Sequence, residues 1–442
     1  MPRGLVKLAL LICLLLPLIS CGGGTSSAQP VPPGQAEPPT DWIAFVKSQA
    51  QPLQSIDPDN TNFSDLAFLR TVLQGRNIVE LGESGHGVAQ FSQAKIRLIK
   101  YLHEQLGYDA IAFESSILST YLANAQANQL TPTAFMQDSI FAVWSTTDVV
   151  KLFSYIQSTE NTAHPLILAG FDVQLTTPYE IQVRPGIFQQ VVAQVDPAYA
   201  QQVYVLDQAF VQNFNQSSYI LANYSDLKTQ YQALTAFLDA NMTQIEQAYS
   251  SAPIFPLIVR QAAWGMSAFL DELNDNASND QSASCNARDA GMATNLEMLV
   301  ENLYPGMKVM AWAHNEHIAH DALSVIGWGC ENLGSYIFQK YGTTVYTLGL
   351  VMYQGSADYN NRTTYTIPPA PDDSTEGLLH SVGDAYVLLD ISNVTPSISG
   401  TEWLFQDYLI RDWGVDNLSM VLKNEYDGLL QIETVNPPTY IN

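Results

Sequence analysis

The stretch that decides the fold is NIVELGESGHGVAQFSQAKIRLIKYL, residues 77–102. It begins with the apolar run IVEL, which is typical of a buried strand. A glycine-rich turn follows and contains Glu83, Ser84 and His86, and a helical repeat then continues to residue 106. A strand that passes into a helix through such a turn predicts an α/β fold with reactive side chains at a strand end.

The turn allows three chemical interpretations. A nucleophilic serine requires Gly-x-Ser-x-Gly, but His86 stands where the second glycine is needed, so Ser84 is a poor nucleophile. A phosphate-binding loop requires a lysine after its last glycine, and none follows Gly87. The third interpretation is an acid–base pair, in which Glu83 fixes the tautomer of His86 and raises its basicity. A turn histidine bonded only to backbone remains the alternative.

The rest of the chain alternates between strand and helix patterns. Further strands are predicted at YDAIAFESS, PLILAGFDVQ, KVMAWAHNEHIA, TTVYTLGLV, AYVLLDIS and YDGLLQIE. Residues from about 179 to 275 show helical periodicity, and the polar residues 274–286 are expected to form a loop. Residues 41–442 are therefore predicted to form one α/β domain with a mainly parallel central sheet flanked by helices. The helical insertion would form a lid or a second subdomain.

Several predicted strands end in reactive residues. Glu114 ends the second strand, Asp172 the third, and His314 and His317 the fourth. The carboxyl ends of parallel strands meet at one edge of a sheet, so these residues are expected to join the Glu/His pair of the first turn. Histidines and carboxylates also suit a metal ion, but the spacing of a His-Glu-x-x-His motif is absent. No metal or cofactor is predicted, and a metal-dependent site is kept as an alternative.

Two cationic side chains could either face the cleft or serve only the structure. Lys95 lies on the apolar stripe of the first helix, and Arg288 lies near the start of a helix, where the dipole does not favour a cation. Lys95 either extends along the protein surface or faces the cleft to bind a carboxylate or an oxyanion. Arg288 is either held by a carboxylate or faces a ligand. Asp289 is either an ordinary first-turn acid or the partner of Arg288. These alternatives stay open.

The first 21 residues are predicted to be an export signal, because basic residues precede a short apolar run. The run ends in Leu-Ile-Ser-Cys, which resembles a bacterial lipobox and predicts lipidation of Cys21. Gly22 follows, which favours the outer membrane, so the chain is expected to be an exported bacterial lipoprotein on the periplasmic or cell-surface side. Residues 22–40 are predicted to be a flexible linker. An ordinary signal peptide is the alternative.

The amino-acid composition limits the classes of partner that the chain can bind. The chain has 18 Lys and Arg against 43 Asp and Glu, so its net charge is -25, which disfavours binding to nucleic acid. Contact with the membrane is expected only through the lipid anchor. Cys285 and Cys330 are expected to form a disulfide outside the cytoplasm, with two free thiols as the alternative.

The motifs occur together in an order that resembles the erythromycin esterase family. The resemblance rests on LGESGHGVAQFSQAKIRLIKYL, GYDAIAFESS, RDAGMATNLEML, WAHNEHIA and LGSYIFQKYGTTVYTLGL, and it covers roughly residues 65 to 435. The family opens macrolide lactone rings with an activated water. The resemblance therefore implies a hydrolase of ester or lactone bonds with a small-molecule substrate. A metal-dependent hydrolase and a non-catalytic binding lipoprotein of the envelope are the alternatives.

The resemblance also implies roles for individual residues. His86 matches the general base, and Glu83 and Glu114 match acidic residues of the same site. His314 and His317 match the histidines of the second motif. Three positions depart from the family pattern and bear on macrolide specificity rather than on hydrolysis: Gly85 stands in place of Ser or Thr, Gln90 in place of Glu, and Lys95 in place of Arg.

Overall fold

The structure is a computed structural model that describes residues 37–325 and 327–441. The predicted signal peptide, Cys21 and most of the predicted linker lie outside the described residues. The strands β1 to β11 are, in chain order, Gln51–Pro52, Ile78–Leu81, Ala110–Ser116, Ile167–Asp172, Val309–Trp312, Val345–Asp358, Thr364–Ile367, Tyr386–Asp390, Asp407–Asp412, Asp416–Val421 and Gly428–Val435.

The helices of the described chain surround these strands. The helices α1 to α15 are, in chain order, Thr40–Gln49, Leu69–Val72, Ala89–Leu106, Ile117–Asn124, Pro132–Gln137, Val149–Thr159, Pro178–Val192, Pro197–Asn213, Ser217–Ala248, Ile254–Ala277, Gln281–Met298, Asn315–Ile318, Leu333–Tyr341, Thr375–His380 and Leu422–Glu425. Each helix in the described part of the chain is too short or too polar to cross a membrane.

The strands form a nine-stranded sheet in the order β1-β8-β11-β6-β2-β5-β3-β4, with β7 paired to β6. The five pairs from β11 to β4 are parallel, and the pairs that involve β1, β7 and β8 are antiparallel. The predicted mainly parallel sheet flanked by helices is therefore confirmed. The hairpin of β9 and β10 forms a separate two-stranded sheet, which the sequence patterns did not predict.

Helices cover both faces of the sheet because alternate strand residues point to opposite sides. In β3, Ile111 and Phe113 join a core with α3 and α6, whereas Ala110 and Ala112 join a core with α11 and α13. All four side chains are buried, as the unbroken apolar run predicts for a central parallel strand.

Helices α7 to α10 fill the region predicted to be a helical insertion. They build a third core that also contains Val173 and Leu175, which follow the edge strand β4. The insertion therefore packs as a subdomain beside this edge. The expected loop at 274–286 is wrong, because α10 continues to Ala277 and α11 begins at Gln281. The polar residues there are helix caps: the Asp280 side chain accepts the backbone N–H of Ala283 at 3.0 Å.

Candidate active site

The carboxyl ends of four neighbouring strands, β2, β5, β3 and β4, meet at one edge of the sheet. Parallel pairing brings their following residues together, as the sequence predicts. In β3 the register shifts between Phe113 and Ser116, and Glu114 lies within this irregularity. Such a bulge redirects a side chain, and here it turns the Glu114 carboxylate towards the strand ends.

Glu83 and His86 form a pair immediately after β2. The Nδ1 atom of His86 lies 2.7 Å from Oε1 of Glu83, and the indole N–H of Trp144 donates to the same oxygen at 2.7 Å. A carboxylate only accepts hydrogen bonds, so His86 carries its proton on Nδ1 and leaves Nε2 free. The His86 side chain is 12% exposed, whereas Glu83 is fully buried. This is the arrangement of a general base oriented by a carboxylate.

Lys95 keeps Glu83 ionised. Its ammonium contacts Oε2 of Glu83 and lies 3.9 Å above the ring of Trp312. Burial acts to raise the pKa of Glu83, but Lys95 and His86 outweigh it and hold this pKa below its usual value. Burial lowers the pKa of Lys95 to about 8. The expectation that Lys95 binds substrate is corrected, because its buried side chain faces Glu83 instead of the opening.

Arg288 and Asp172 form a second buried pair beneath the cleft. Nη2 of Arg288 donates to Oδ2 of Asp172 at 2.6 Å and to Oε1 of Glu114 at 2.8 Å. Burial opposes ionisation of Glu114, but His317 and Arg288 hold its pKa well below the usual value. The expectation that Arg288 and Asp172 bind substrate is corrected, because the single guanidinium of Arg288 neutralises both Asp172 and Glu114 in the interior.

His317 is the third member of this charge network. Its Nδ1 lies 2.8 Å from Oδ1 of Asp289, and its Nε2 lies 3.4 Å from Oε1 of Glu114. Burial acts to lower the pKa of His317, but Asp289 and Glu114 raise it well above its usual value. His317 is therefore an imidazolium between two carboxylates. The partner of Asp289 is His317, and not Arg288 as one sequence interpretation had it.

His314, unlike His317, is held in its uncharged form. Burial and the neighbouring His86 lower the pKa of His314 well below its usual value, so the ring is neutral. Its Nδ1 accepts the backbone N–H of Glu316 at 3.3 Å, which leaves the proton on Nε2. Nε2 lies 3.5 Å from Oδ1 of Asp412, and among the described residues it has no hydrogen-bond partner. The ring centroid lies 5.3 Å from that of His86.

Three residues that the sequence interpretation did not select complete the surroundings of His86. Trp144 lies edge-on to His86 with ring centroids 5.2 Å apart, and Trp413 lies edge-on at 5.8 Å. Burial and the nearby Glu316 raise the pKa of Asp412, which lies beside His314, well above its usual value. Trp144 ends a short 3-10 helix and Trp413 lies in the β9–β10 turn, where no periodic pattern marks a residue as close to the site.

The donor set does not fit a divalent cation. The carboxylates of Glu83 and Glu114 already neutralise Lys95 and Arg288. Within the described ranges, the one group of three potential ligand atoms that lie within 4.8 Å of one another is Cys285, Glu316 and Cys330. The two sulfurs of this group are joined in a disulfide, which removes their thiolates as ligands.

Comparison with known proteins agrees with this architecture. The sequence profile named "Erythromycin esterase" matches residues 103–435. The chain is 31% identical over 420 residues to the "Putative hydrolase YbfO" of Bacillus subtilis (strain 168), covering 90% of this chain and 92% of that protein. A crystal structure of a Bacillus cereus protein superposes with a TM-score of 0.76 at 16% identity, over 91% of this chain and 99% of the other.

A mutant erythromycin esterase in its open conformation superposes with a TM-score of 0.70 at 15% identity, over 89% of this chain and 99% of the other. At this identity the superposition shows a shared fold. Together with the profile match, these comparisons show that the chain belongs to the erythromycin esterase family. Family membership supports a hydrolase function and a small-molecule substrate.

Proposed function

We propose that the chain hydrolyses ester or lactone bonds with a water activated by His86. One observation carries the proposal: His86 is bonded through Nδ1 to an ionised Glu83, and its ring lies beside the neutral ring of His314. A free Nε2 on one ring and an N–H on the other are the base and the donor that ester hydrolysis needs. The names of the family and its relatives point to the same class of bond.

The reaction follows from these protonation states. Nε2 of His86 takes a proton from water, and the hydroxide oxygen bonds to the carbonyl carbon. The carbonyl oxygen becomes negative and accepts the Nε2–H of His314. The bond between the carbonyl carbon and the ester oxygen then breaks, and His86 returns its proton to the leaving oxygen. The products are a carboxylic acid and an alcohol, joined in one molecule when the substrate is a lactone.

The buried network positions these groups. Oε2 of Glu114 accepts the backbone N–H of His314 at 3.2 Å, and Arg288 and His317 hold Glu114 in turn. Asp172 fixes Arg288 from the other side. We assign Glu114, Arg288 and His317 to positioning of His314. The sequence expectation was that Glu83 or Glu114 orients His86 and that His317, like His314, stabilises the oxyanion or positions the substrate.

The direct test is hydrolysis of aryl esters, simple lactones and macrolides by residues 41–442. His86→Ala is expected to lower kcat by about 10²-fold or more while the melting temperature stays unchanged. His164→Ala is the matched control, because this half-buried histidine precedes β4 at the other end of the strand. Full activity of His86→Ala would overturn the proposal. Loss of activity on adding a chelator would support the metal-dependent alternative.

We propose further that the chain is exported and anchored to the membrane through a lipid on Cys21. The support is the sequence order of an export signal over residues 1–21, a lipobox-like end and a linker over residues 22–40. In a Gram-negative host, the full chain is expected in the membrane fraction. Cys21→Ser is expected in the soluble fraction or uncleaved, and unchanged fractionation and processing would contradict the anchor.

A further inference from the structure

We propose that Trp413 is the specificity-determining residue of this active site, and that it restricts the site to esters with an unhindered, unbranched acyl group. The inference rests on the proposed function and names the substrate class for the same site. Trp413 lies at the turn between β9 and β10, outside the large sheet.

Trp413 contacts both groups that act on the ester. Its ring centroid lies 5.6 Å from that of His314, with an angle of 28° between the planes. It lies 5.8 Å from that of His86, with an angle of 83°. The reacting carbonyl must lie between the base and the N–H donor, so the indole forms a wall of the space that the acyl group enters.

This wall is fixed in place. The backbone N–H of Trp413 donates to the carbonyl of Ser84 at 2.7 Å, and the Tyr365 hydroxyl donates to the carbonyl of Trp413 at 2.8 Å. The Trp413 backbone has a φ of 50°, a left-handed conformation that bulky residues rarely adopt. Such a conformation persists only where the surroundings hold it. These contacts fix the backbone from which the indole extends, and the ring itself packs against His86 and His314.

Gly85 provides the room that Trp413 fills. A Cβ atom at Gly85 would lie 3.1 Å from Cε3 of Trp413, which is closer than side chains normally approach. The missing side chain at Gly85 and the indole beside it are therefore complementary, and the indole occupies the space next to His86.

Other aromatic rings narrow the remaining opening. Trp144 lies edge-on to His86 on another side, and Tyr359, which is 41% exposed, lies 6.0 Å from Trp413. The backbone bridge between Gly87 and Asp358 holds the Tyr359 loop beside the His86 turn. We therefore expect the site to accept a flat, unbranched acyl group more readily than an acyl carbon with several substituents.

The test compares two esters that share a leaving group, 4-nitrophenyl acetate and 4-nitrophenyl pivalate, whose acyl carbon carries three methyl groups. The readout is the ratio of kcat/KM for pivalate to that for acetate. Trp413→Ala is expected to raise this ratio about tenfold or more, in the range by which a pocket discriminates hydrocarbon groups. Trp413→Phe is expected to give a smaller rise in the same direction.

The outcomes separate the two proposals. An unchanged ratio in active Trp413→Ala protein would overturn the role of Trp413 and leave ester hydrolysis standing. Absence of His86-dependent turnover of both esters by the wild type would overturn this inference, and absence of turnover of every ester and lactone tested would overturn the proposed function as well. If Trp413→Ala fails to fold, Trp413→Phe decides, and an unchanged ratio in that variant overturns the inference.

Discussion

Oε1 of Glu83 lies 2.7 Å from Nδ1 of His86, and this contact determines which nitrogen of the imidazole is basic. The same oxygen also accepts the indole N–H of Trp144, so the carboxylate cannot rotate away from His86 without losing a buried hydrogen bond. The orientation and tautomer of His86 and the charge of Glu83 are thus determined together within one turn of the chain.

Replacing Glu83 with Gln is expected to lower kcat by about 10³–10⁴-fold, because an amide no longer enforces the Nδ1–H tautomer of His86. The change also leaves the buried ammonium of Lys95 without its carboxylate. Steady-state hydrolysis of an aryl ester measures the effect. Glu104→Gln, an exposed change on the same α3 helix, serves as the control. Activity within tenfold of wild type would show that Glu83 does not orient the base.

Lys95 is expected to set an alkaline limit to activity. Its pKa of about 8 means that the ammonium beside Glu83 is lost as the pH rises through that value. The folded-state pKa lies below the unfolded-state value, so the unfolded chain binds more protons between about pH 8 and 10.5. The contribution of Lys95 to the free energy of unfolding therefore rises with pH there, and the loss of activity is not caused by unfolding at this group.

A pH–rate profile from pH 6 to 10 checks this limit. Lys95→Arg is expected to shift the alkaline limb of the profile to higher pH, because a guanidinium stays protonated throughout this range. Lys47→Arg, at an exposed position of α1, is the matched control and is expected to leave the limb unchanged. An identical alkaline limb in Lys95→Arg and the wild type would assign the limit to another group.

His314→Ala is expected to lower kcat by about 10²–10³-fold, which is the usual effect of losing one donor to a developing oxyanion. The value of KM is expected to change much less, because the negative oxygen exists only during the reaction. His380→Ala is a suitable comparison, since this histidine pairs with Glu433 on a different part of the sheet. A rise in KM with an unchanged kcat would indicate instead that His314 binds the substrate in its ground state.

The disulfide between Cys285 and Cys330 is expected to stabilise the fold. It closes a loop with a sequence separation of 45, for which chain entropy predicts about 4 kcal/mol, against a typical measured range of about 2–4 kcal/mol. Urea unfolding of the Cys285→Ser/Cys330→Ser variant should show this loss. Reductant should destabilise the wild type to a similar extent and leave the double variant unaffected. Equal stability of all four samples would contradict the prediction.

The sequence predicted the strands and their reactive ends because both depend on local patterns. The apolar runs before Glu83, Glu114 and His314 fix where strands end, and parallel pairing then brings these ends together. The family resemblance added the order of the motifs. The orientation of the cations was not predictable in this way. Lys95 and Arg288 have the residue type of a substrate contact, but only the surrounding carboxylates show that they face inwards.

The aromatic surroundings escaped prediction for a different reason. Trp144 lies in a connection between helices, and Trp413 in a turn with left-handed backbone. Neither position has a periodicity of 2 or 3.6 residues that could indicate the direction of its side chain. Their closeness to His86 arises from long-range packing alone, which one sequence without its structure does not reveal.

The central strand β2 has a consequence for how the protein is made. Ile78 pairs with Val309 on one side and Val345 on the other, so both neighbours of β2 are synthesised long after it. Contacts so distant along the chain slow folding and leave apolar strands exposed during synthesis. A nascent chain that ends before these residues has no active site, and its β2 strand needs protection from aggregation until both partner strands have been synthesised.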